Sequence, residues 1–422
     1  MIVKMINTGT IKMNSLSQAL IYVCTFLLGI TINQTSYLFG INSSLSDILL
    51  ILIIPTLIYT KQLNFVKNET IFFLMLSILV LFSATFVVPT IVNITPSVTN
   101  IFSDYIKILV SFLYFILGYN LSRIGFDNKV IRVQAKFAVL VAILGIVANF
   151  IPLPFISETF FFGGYRLKGF LNDPNLFAIV QILALSYFLK YRDKNNKFRG
   201  VSIFLLIFSI LMSGSKTGLL SMIFILCLDL FQKNFTYRIK LKETIVFLIL
   251  AFILIILAPP LINYMLKLLI SLAEQYPSIE RLSSLFTDFS TAISGDGSHR
   301  DVVWKKAIKI ISMFPITGVG VGTYLNIAGT LPGVVTVAHN TYLQMYAEWG
   351  IIFASIFFLY IIYMIFYSLL LVRKNITINV VSSGIIAIMI GSLSISLNNA
   401  RFFWLYLGIL LYHIKFEKNQ KI

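Results

Sequence analysis

Apolar residues in this chain do not alternate with polar ones, and they do not recur on a single helical face. They run continuously, most for about 17 to 25 residues, then break for a few polar positions, and repeat. Runs of about 20 apolar residues are the length a helix needs to cross a bilayer, and continuity argues against a membrane β-barrel, whose strands alternate. The pattern predicts spans at about 16–32, 45–60, 70–92, 104–122, 134–151, 173–190, 201–213, 216–232, 243–263, 341–371, 379–397 and 399–415. The run at 341–371 is longer than a bilayer requires and is expected to tilt or project. The first run is long and lacks a small-x-small cleavage site, so it is expected to be retained as a helix. The expected fold is an all-α polytopic membrane protein of about twelve transmembrane helices.

One stretch departs from this rhythm. Residues 263–338 form a long connection between the ninth and tenth spans, and loops of that size are usually functional or separately folded. Within it, residues 300–313 read as an amphipathic helix with Val303, Ala307, Ile310 and Ile311 on one face and Lys305 and Lys309 on another. Pro315 and Gly318, Gly320 and Gly322 end it. Three blocks follow: 1–262 with the first nine spans, 263–338 as a helical extracytoplasmic loop domain, and 339–422 with the last three spans and a cytoplasmic tail.

Composition agrees, with 58% hydrophobic and only 12% charged residues, too apolar for a water-soluble domain. The net charge of +17 raises nucleic acid as a partner, but Lys and Arg sit in short loops rather than in one basic domain. Placing both termini in the cytoplasm leaves most of the 33 Lys and Arg inside, as the positive-inside rule requires. The outer positive charges are informative because topology does not demand them. They include Arg166, Lys216, Arg300 and Arg401. Cys24 and Cys227 lie in apolar runs, so neither a disulfide nor a metal site is expected.

The candidate chemistry sits on that outer face. Asp173-Pro-Asn175 at the start of a span is a helix-start signature, which accounts for Asp173 and Asn175 structurally, but leaves Arg166 in need of a partner. Lys216, in Ser213-Gly-Ser-Lys-Thr-Gly218, has two readings: it snorkels to the interface, or it faces a cavity and binds phosphate as a point charge. Arg300 opens the loop helix, one turn before Trp304, as a solvated charge or a packed one. His339 precedes a span beside Asn340, with Glu348 farther along, and histidine is the side chain best suited to take a proton near neutral pH. Nearby Arg and Lys would favour its neutral form. His413 is expected to be interfacial. Gly318-Val-Gly-Val-Gly322 lacks a βαβ context, so it reads as a flexible turn or a close approach of backbone to substrate. No P-loop and no Asp-x-Asp pair occurs, which disfavours ATP hydrolysis and metal-dependent nucleotide-sugar transfer.

Together, Arg166 with Asn172-Asp-Pro-Asn175, the 213–218 turn, Arg300 with Trp304, the glycine run, and His339-Asn340-Thr-Tyr-Leu343 with Glu348-x-Gly350 resemble the O-antigen ligase and polymerase family of bacterial membrane glycosyltransferases. The resemblance implies a GT-C-like, metal-independent and cofactor-free transferase. Its donor would be a glycan on undecaprenyl pyrophosphate, with a glycan or lipid-linked acceptor and a chain-length regulator as further partners and no nucleic acid. It implies His339 and Arg300 as catalytic residues, Arg166, Lys216 and Arg300 as pyrophosphate-binding, and Asp173, Asn175, Asn340 and Glu348 as supporting. Family members often carry Arg where this chain has Lys216, and lysine lacks the bidentate fork. The leading expectation is a polymerase of O-antigen or capsule type on the outer face of the cytoplasmic membrane. The alternative is a ligase that moves the finished glycan to lipid A-core or another acceptor. A flippase would want polar groups at mid-membrane, whereas these cluster at the outer face. The motifs of the shape-and-division cell-wall polymerases are not found.

Overall fold

A computed structural model describes residues 15–32, 44–150, 154–191, 197–234, 300–371 and 375–420. The predicted span at 243–263 and the loop to residue 299 lie outside the described residues. Nearly all the rest is helical. The first elements are α1 (Ser15–Thr31), α2 (Leu45–Tyr59), α3 (Lys67–Phe82), a π-helical turn (Ser83–Val87), α4 (Val88–Val92), α5 (Val98–Arg123), α6 (Asp127–Ala148) and α7 (Pro154–Phe160). A two-stranded hairpin, β1 (Phe161–Phe162) and β2 (Arg166–Leu167), leads into α8 (Pro174–Lys190), α9 (Arg199–Met212) and α10 (Lys216–Asn234). After the gap come α11 (Arg300–Met313), α12 (Tyr324–Thr330), α13 (Thr341–Leu371), α14 (Ile376–Gly391) and α15 (Arg401–Asn419).

Four segments are long and apolar enough to cross a membrane: Lys67–Val92, Val98–Arg123, Asp127–Ala148 and Thr341–Leu371. Shorter apolar helices pack beside them. The helices are apolar on both faces. On α13, Ala354, Phe357, Ile361 and Met364 turn inward, while Ile352, Leu359, Ile362 and Phe366 are exposed. An exposed face made of such residues suits lipid, not water.

Aromatic rings tie the bundle together. Trp404 of α15 meets Phe73 of α3 at 5.4 Å and Phe357 of α13 at 5.2 Å between ring centroids. Its indole N–H donates to the Asn398 carbonyl at 2.7 Å, so the ring is buried without leaving its polar atom unpaired. Helices α5 and α15 approach so closely that a Cβ on Gly118 would overlap the Leu405 carbonyl, and one on Gly408 the Phe115 carbonyl. Small residues at such crossings are a recurrent means of packing helices in membranes.

Three sequence expectations change. The long run at 341–371 is broken: Gly350 has φ 74° and ψ 168°, a conformation open essentially to glycine alone. The glycine run is neither flexible nor aimed at a substrate. It docks on that break, where Val319 N–H donates to the Ala347 carbonyl at 2.8 Å and Gly320 N–H to the Glu348 carbonyl at 3.0 Å. Ile351 N–H returns to the Pro315 carbonyl at 2.8 Å, and the Ser83 hydroxyl, in the π-helical turn, donates to the Gly318 carbonyl. Finally, the helix expected at 379–397 stops at Gly391, and residues 392–400 form a polar turn.

The amphipathic loop helix forms as expected. Val303, Ala307 and Ile310 of α11 are buried with Phe314, Tyr324, Ile327 and Ala347 in a second, smaller core. Lys306, on the same helix, is 6% exposed and donates to the carbonyls of Ala328, Gly333 and Val334, each at 2.9 Å. It thereby clamps the segment that leads to His339.

Gly350→Ala should destabilise the chain by about 3 kcal/mol or more, combining backbone strain with overlap on the Ile316 carbonyl. Gly200→Ala, in α9 with open space around it, should be neutral. Thermal unfolding of both variants in lipid nanodiscs measures the difference, and equal midpoints would contradict the role assigned to the break.

Candidate functional site

Arg166 is presented by β2, paired antiparallel with β1 through Phe162. The neighbouring Leu167 is fully buried and packs where Gly145 of α6 leaves room for it. With the hairpin so anchored, the Arg166 side chain is 6% exposed. Its Nε–H donates to the Ser213 carbonyl at 3.0 Å, and a terminal N–H donates to Asn175 Oδ1 at 3.2 Å. These partners tie Arg166 to both the start of α8 and the α9–α10 turn. Asp173 caps α8, its Oδ1 accepting from the N–H groups of Asn175 at 2.6 Å and Leu176 at 3.1 Å. The capping reading of Asp173 therefore holds, while Asn175 serves Arg166.

The 213–218 turn is buried throughout. Gly214 takes φ +57°, and the Ser215 hydroxyl accepts from Gly218 N–H at 3.0 Å, capping α10. Lys216 is the first residue of α10 and only 9% exposed. That is too buried for a lysine that snorkels to water. A cation at a helix N-terminus adds to the positive end of the helix dipole, where an anion is favoured. Next to it, the Thr217 hydroxyl pairs with the Ser394 hydroxyl.

Ser394 belongs to the 392–400 turn, which sequence reasoning did not single out. Its carbonyl accepts from Arg300 at 3.4 Å, so this one residue joins the Lys216 turn to the start of α11. The same turn receives the start of α13. Asn340 Nδ2 donates to the Leu393 carbonyl at 3.1 Å, Thr341 N–H to the Ser392 carbonyl at 2.8 Å, and the Thr341 hydroxyl to the Ile395 carbonyl at 2.6 Å. The only signal in the sequence was a run of Ser and Asn between two apolar stretches.

His339 stands at the edge of this assembly with its ring exposed. Its backbone is left-handed, φ 47°, uncommon outside glycine. The Thr336 hydroxyl lies 3.4 Å from Nε2. Partial desolvation by its surroundings holds the imidazole below its ordinary value, the Arg300 guanidinium lowers it further, and the Asp173 carboxylate opposes both. Arg300 and Asp173, distant in sequence, are thus both close enough to act on the ring. Glu348 lies deeper, on the far side of Gln344, whose Nε2 donates to Glu348 Oε1 at 2.5 Å.

The structure therefore gathers Arg166, Asp173, Asn175, the Lys216 turn, Arg300, His339 and Asn340, and sets Glu348 behind them. Among the described residues no three His, Cys, Asp or Glu side chains cluster as a metal-binding group. What is gathered is mainly positive charge, with the Asp173 carboxylate among it, beside an imidazole held below its ordinary pKa, a combination that can serve a concentrated anion and a proton to be removed. Arg401 is accounted for elsewhere, gripping Asp47 with two hydrogen bonds, 3.1 and 2.7 Å. His413 is not merely interfacial, since its Nε2 lies 2.5 Å from Asp127 Oδ2 and its Nδ1 3.2 Å from Asn375.

The sign of each influence on His339 is testable. Reaction of His339 with diethyl pyrocarbonate, followed by peptide mass analysis, should rise with pH through a midpoint below 6.5. Arg300→Gln should move that midpoint up and Asp173→Asn should move it down, with the cap retained. Shifts of the opposite sign would refute the assigned neighbourhood.

Residues 201–358 match the family model described as O-Antigen ligase. That interval contains Lys216, Arg300, His339, Asn340 and Glu348, whereas Arg166, Asp173 and Asn175 precede it. The ComP-specific O-oligosaccharyltransferase of Acinetobacter baylyi is 26% identical over 251 residues, covering 56% of this chain. The similarity spans 42% of that relative's length. The match lies across much of the site just described, so that part of the chain is similar to the O-antigen ligase family.

Proposed function

We propose that the chain is a metal-independent, inverting glycosyltransferase of the outer face of the bacterial cytoplasmic membrane. It acts as a polysaccharide polymerase that transfers a glycan from undecaprenyl pyrophosphate to an acceptor sugar hydroxyl. The observation that carries this is the neutral-leaning imidazole of His339 within reach of Arg300, joined through Ser394 to the buried Lys216 turn.

In this reading, Arg300 and Lys216 hold the pyrophosphate and stabilise the charge that develops on it as the glycosidic bond breaks. Arg166 adds its charge from behind while it fixes the turn that carries Lys216. His339 takes the proton from the acceptor hydroxyl. The acceptor oxygen bonds to the anomeric carbon as the bond to pyrophosphate breaks on the opposite side, and undecaprenyl pyrophosphate departs with the electron pair. In-line displacement inverts the centre, with no covalent enzyme intermediate.

About twelve spans with both termini cytoplasmic fit the distribution of polar partners. Arg166, Lys216, Arg300 and Asn340 meet at turns of one sense. Turns of the other sense carry a separate set, including Lys415 with Glu69, His413 with Asp127, and Arg123 with the Gln62 carbonyl. The 263–338 connection then lies outside.

A second reading, ligation of a whole glycan to another acceptor, is favoured by the printed name of the Acinetobacter relative, an O-oligosaccharyltransferase. Donor and site would be shared, and the acceptor would differ.

His339→Ala should lower transfer at least about 100-fold without preventing insertion, the scale of a lost general base. Arg300→Ala should lower it by about 100-fold, as when a charge-stabilising donor is removed. Full glycan transfer by the His339 variant would end the base assignment, and unaltered donor kinetics would remove Arg300 from the site. A deletion strain separates the two readings when its glycans are resolved on a gel. Single repeat units on the final acceptor mean a missing polymerase, and long chains left on the lipid carrier mean a missing ligase.

A further inference from the structure

Among the described residues His339 makes one weak side-chain hydrogen bond, to Thr336 at 3.4 Å, and yet sits in a strained left-handed conformation. Such a backbone persists only where its surroundings over-determine it. The residues on either side supply that determination. On the C-terminal side, Asn340 caps α13 through Oδ1 to Leu343 N–H at 3.1 Å and is tied by Nδ2 to the Leu393 carbonyl. On the N-terminal side, the fully buried Ala338 donates its N–H to Gln344 Oε1 at 2.9 Å.

That second contact is unusual. An ordinary capping box reaches from the third helical position to the N–H of the cap itself. Gln344, one position farther along, reaches back beyond the cap and beyond His339. Its orientation is fixed: with the carbonyl oxygen taken by Ala338 N–H, the amide nitrogen must face an acceptor, and it faces Glu348 Oε1 at 2.5 Å. Gln344 is 3% exposed, and Glu348 is held in turn by its carbonyl bond from Gly320 N–H.

We propose that Gln344 is a positioning residue for His339, orienting the imidazole through the Ala338 backbone, with Glu348 orienting Gln344. The proposal rests on His339 being the proton acceptor argued above. Charged groups that act on the ring are Arg300, at the start of α11, and Asp173, the cap of α8, so a turn released from Gln344 changes the ring's distance to both.

The test uses full-length chain in lipid nanodiscs with Gln344→Leu, Glu348→Leu, Glu348→Gln and the double leucine variant. Gln344→Leu should lower kcat about 10- to 100-fold, the scale of a misplaced catalytic group, with KM within about threefold of the parent. Glu348→Leu should fall similarly, and the double variant no further, because both act through one contact. Glu348→Gln keeps an acceptor for the Gln344 amide and should recover most of the loss. The pH midpoint for diethyl pyrocarbonate modification of His339 should rise in Gln344→Leu and Glu348→Leu, as the released ring loses its desolvation and its approach to Arg300, and should stay at the parent value in Glu348→Gln. An unchanged kcat, or a reduced kcat with an unmoved midpoint and no recovery in Glu348→Gln, would overturn the proposal. Full activity in His339→Ala would overturn the base reading instead, and the modification midpoint would still decide whether Gln344 positions the ring.

Discussion

A backbone buried among apolar helices must find its hydrogen-bond partners within the protein, and the arrangement depends on how that demand is met at Gly350. The break there frees the carbonyls of Ala347 and Glu348 from helical pairing, and the glycine run supplies Val319 and Gly320 N–H groups to them. Each partner needs the other. Without the break the loop would have no edge to pair with, and without the loop the break would leave buried carbonyls unsatisfied. The glycines are required because the approach is backbone to backbone: a Cβ on Gly318 would overlap the Glu348 carbonyl. This one pairing fixes the loop segment carrying Arg300 relative to the helix that His339 precedes.

From that frame the electrostatics follow. Arg166 and Arg300, on separate segments, are tied into one neighbourhood by bonds to neutral acceptors. Arg166 donates to a serine carbonyl and an asparagine amide, and Arg300 to the Ser394 carbonyl. A neutral acceptor orients a guanidinium without cancelling its charge. The contrast is Arg401, gripped by both oxygens of Asp47. Arg166, Arg300 and Arg401 look alike in sequence, and it is their partners that tell them apart.

The four helices long and apolar enough to cross a membrane were legible because a bilayer imposes a length and an apolar composition, and both show in one dimension. The helix at Arg300–Met313 was legible from its period, and the cap at Asp173 from its local motif. What escaped was set by partners remote in sequence. The π-helical turn at Ser83–Val87 answers to Gly318, and the Ser394 hydroxyl to Thr217. Residues 392–394 look like the end of an apolar run but form a junction, because their carbonyls and hydroxyls are used by three other elements. The glycine run was correctly read as demanding close approach, but the thing approached was the chain's own backbone. The two readings of Lys216 turn on its burial, which a sequence does not display.

The break in α13 also divides labour between two pieces of one helix. Beyond Gly350, residues 351–371 span about 31 Å at the rise of an α-helix, close to the roughly 30 Å of a hydrocarbon core. The piece before it packs on the loop and on the 392–400 turn rather than continuing the span. A membrane that thickens or thins asks its helices to tilt, and in a straight helix that tilt would carry His339 with it. Here the piece before the break is bound to the loop and to the 392–400 turn, so the position of His339 is set by those segments and not by the axis of the long apolar piece that follows.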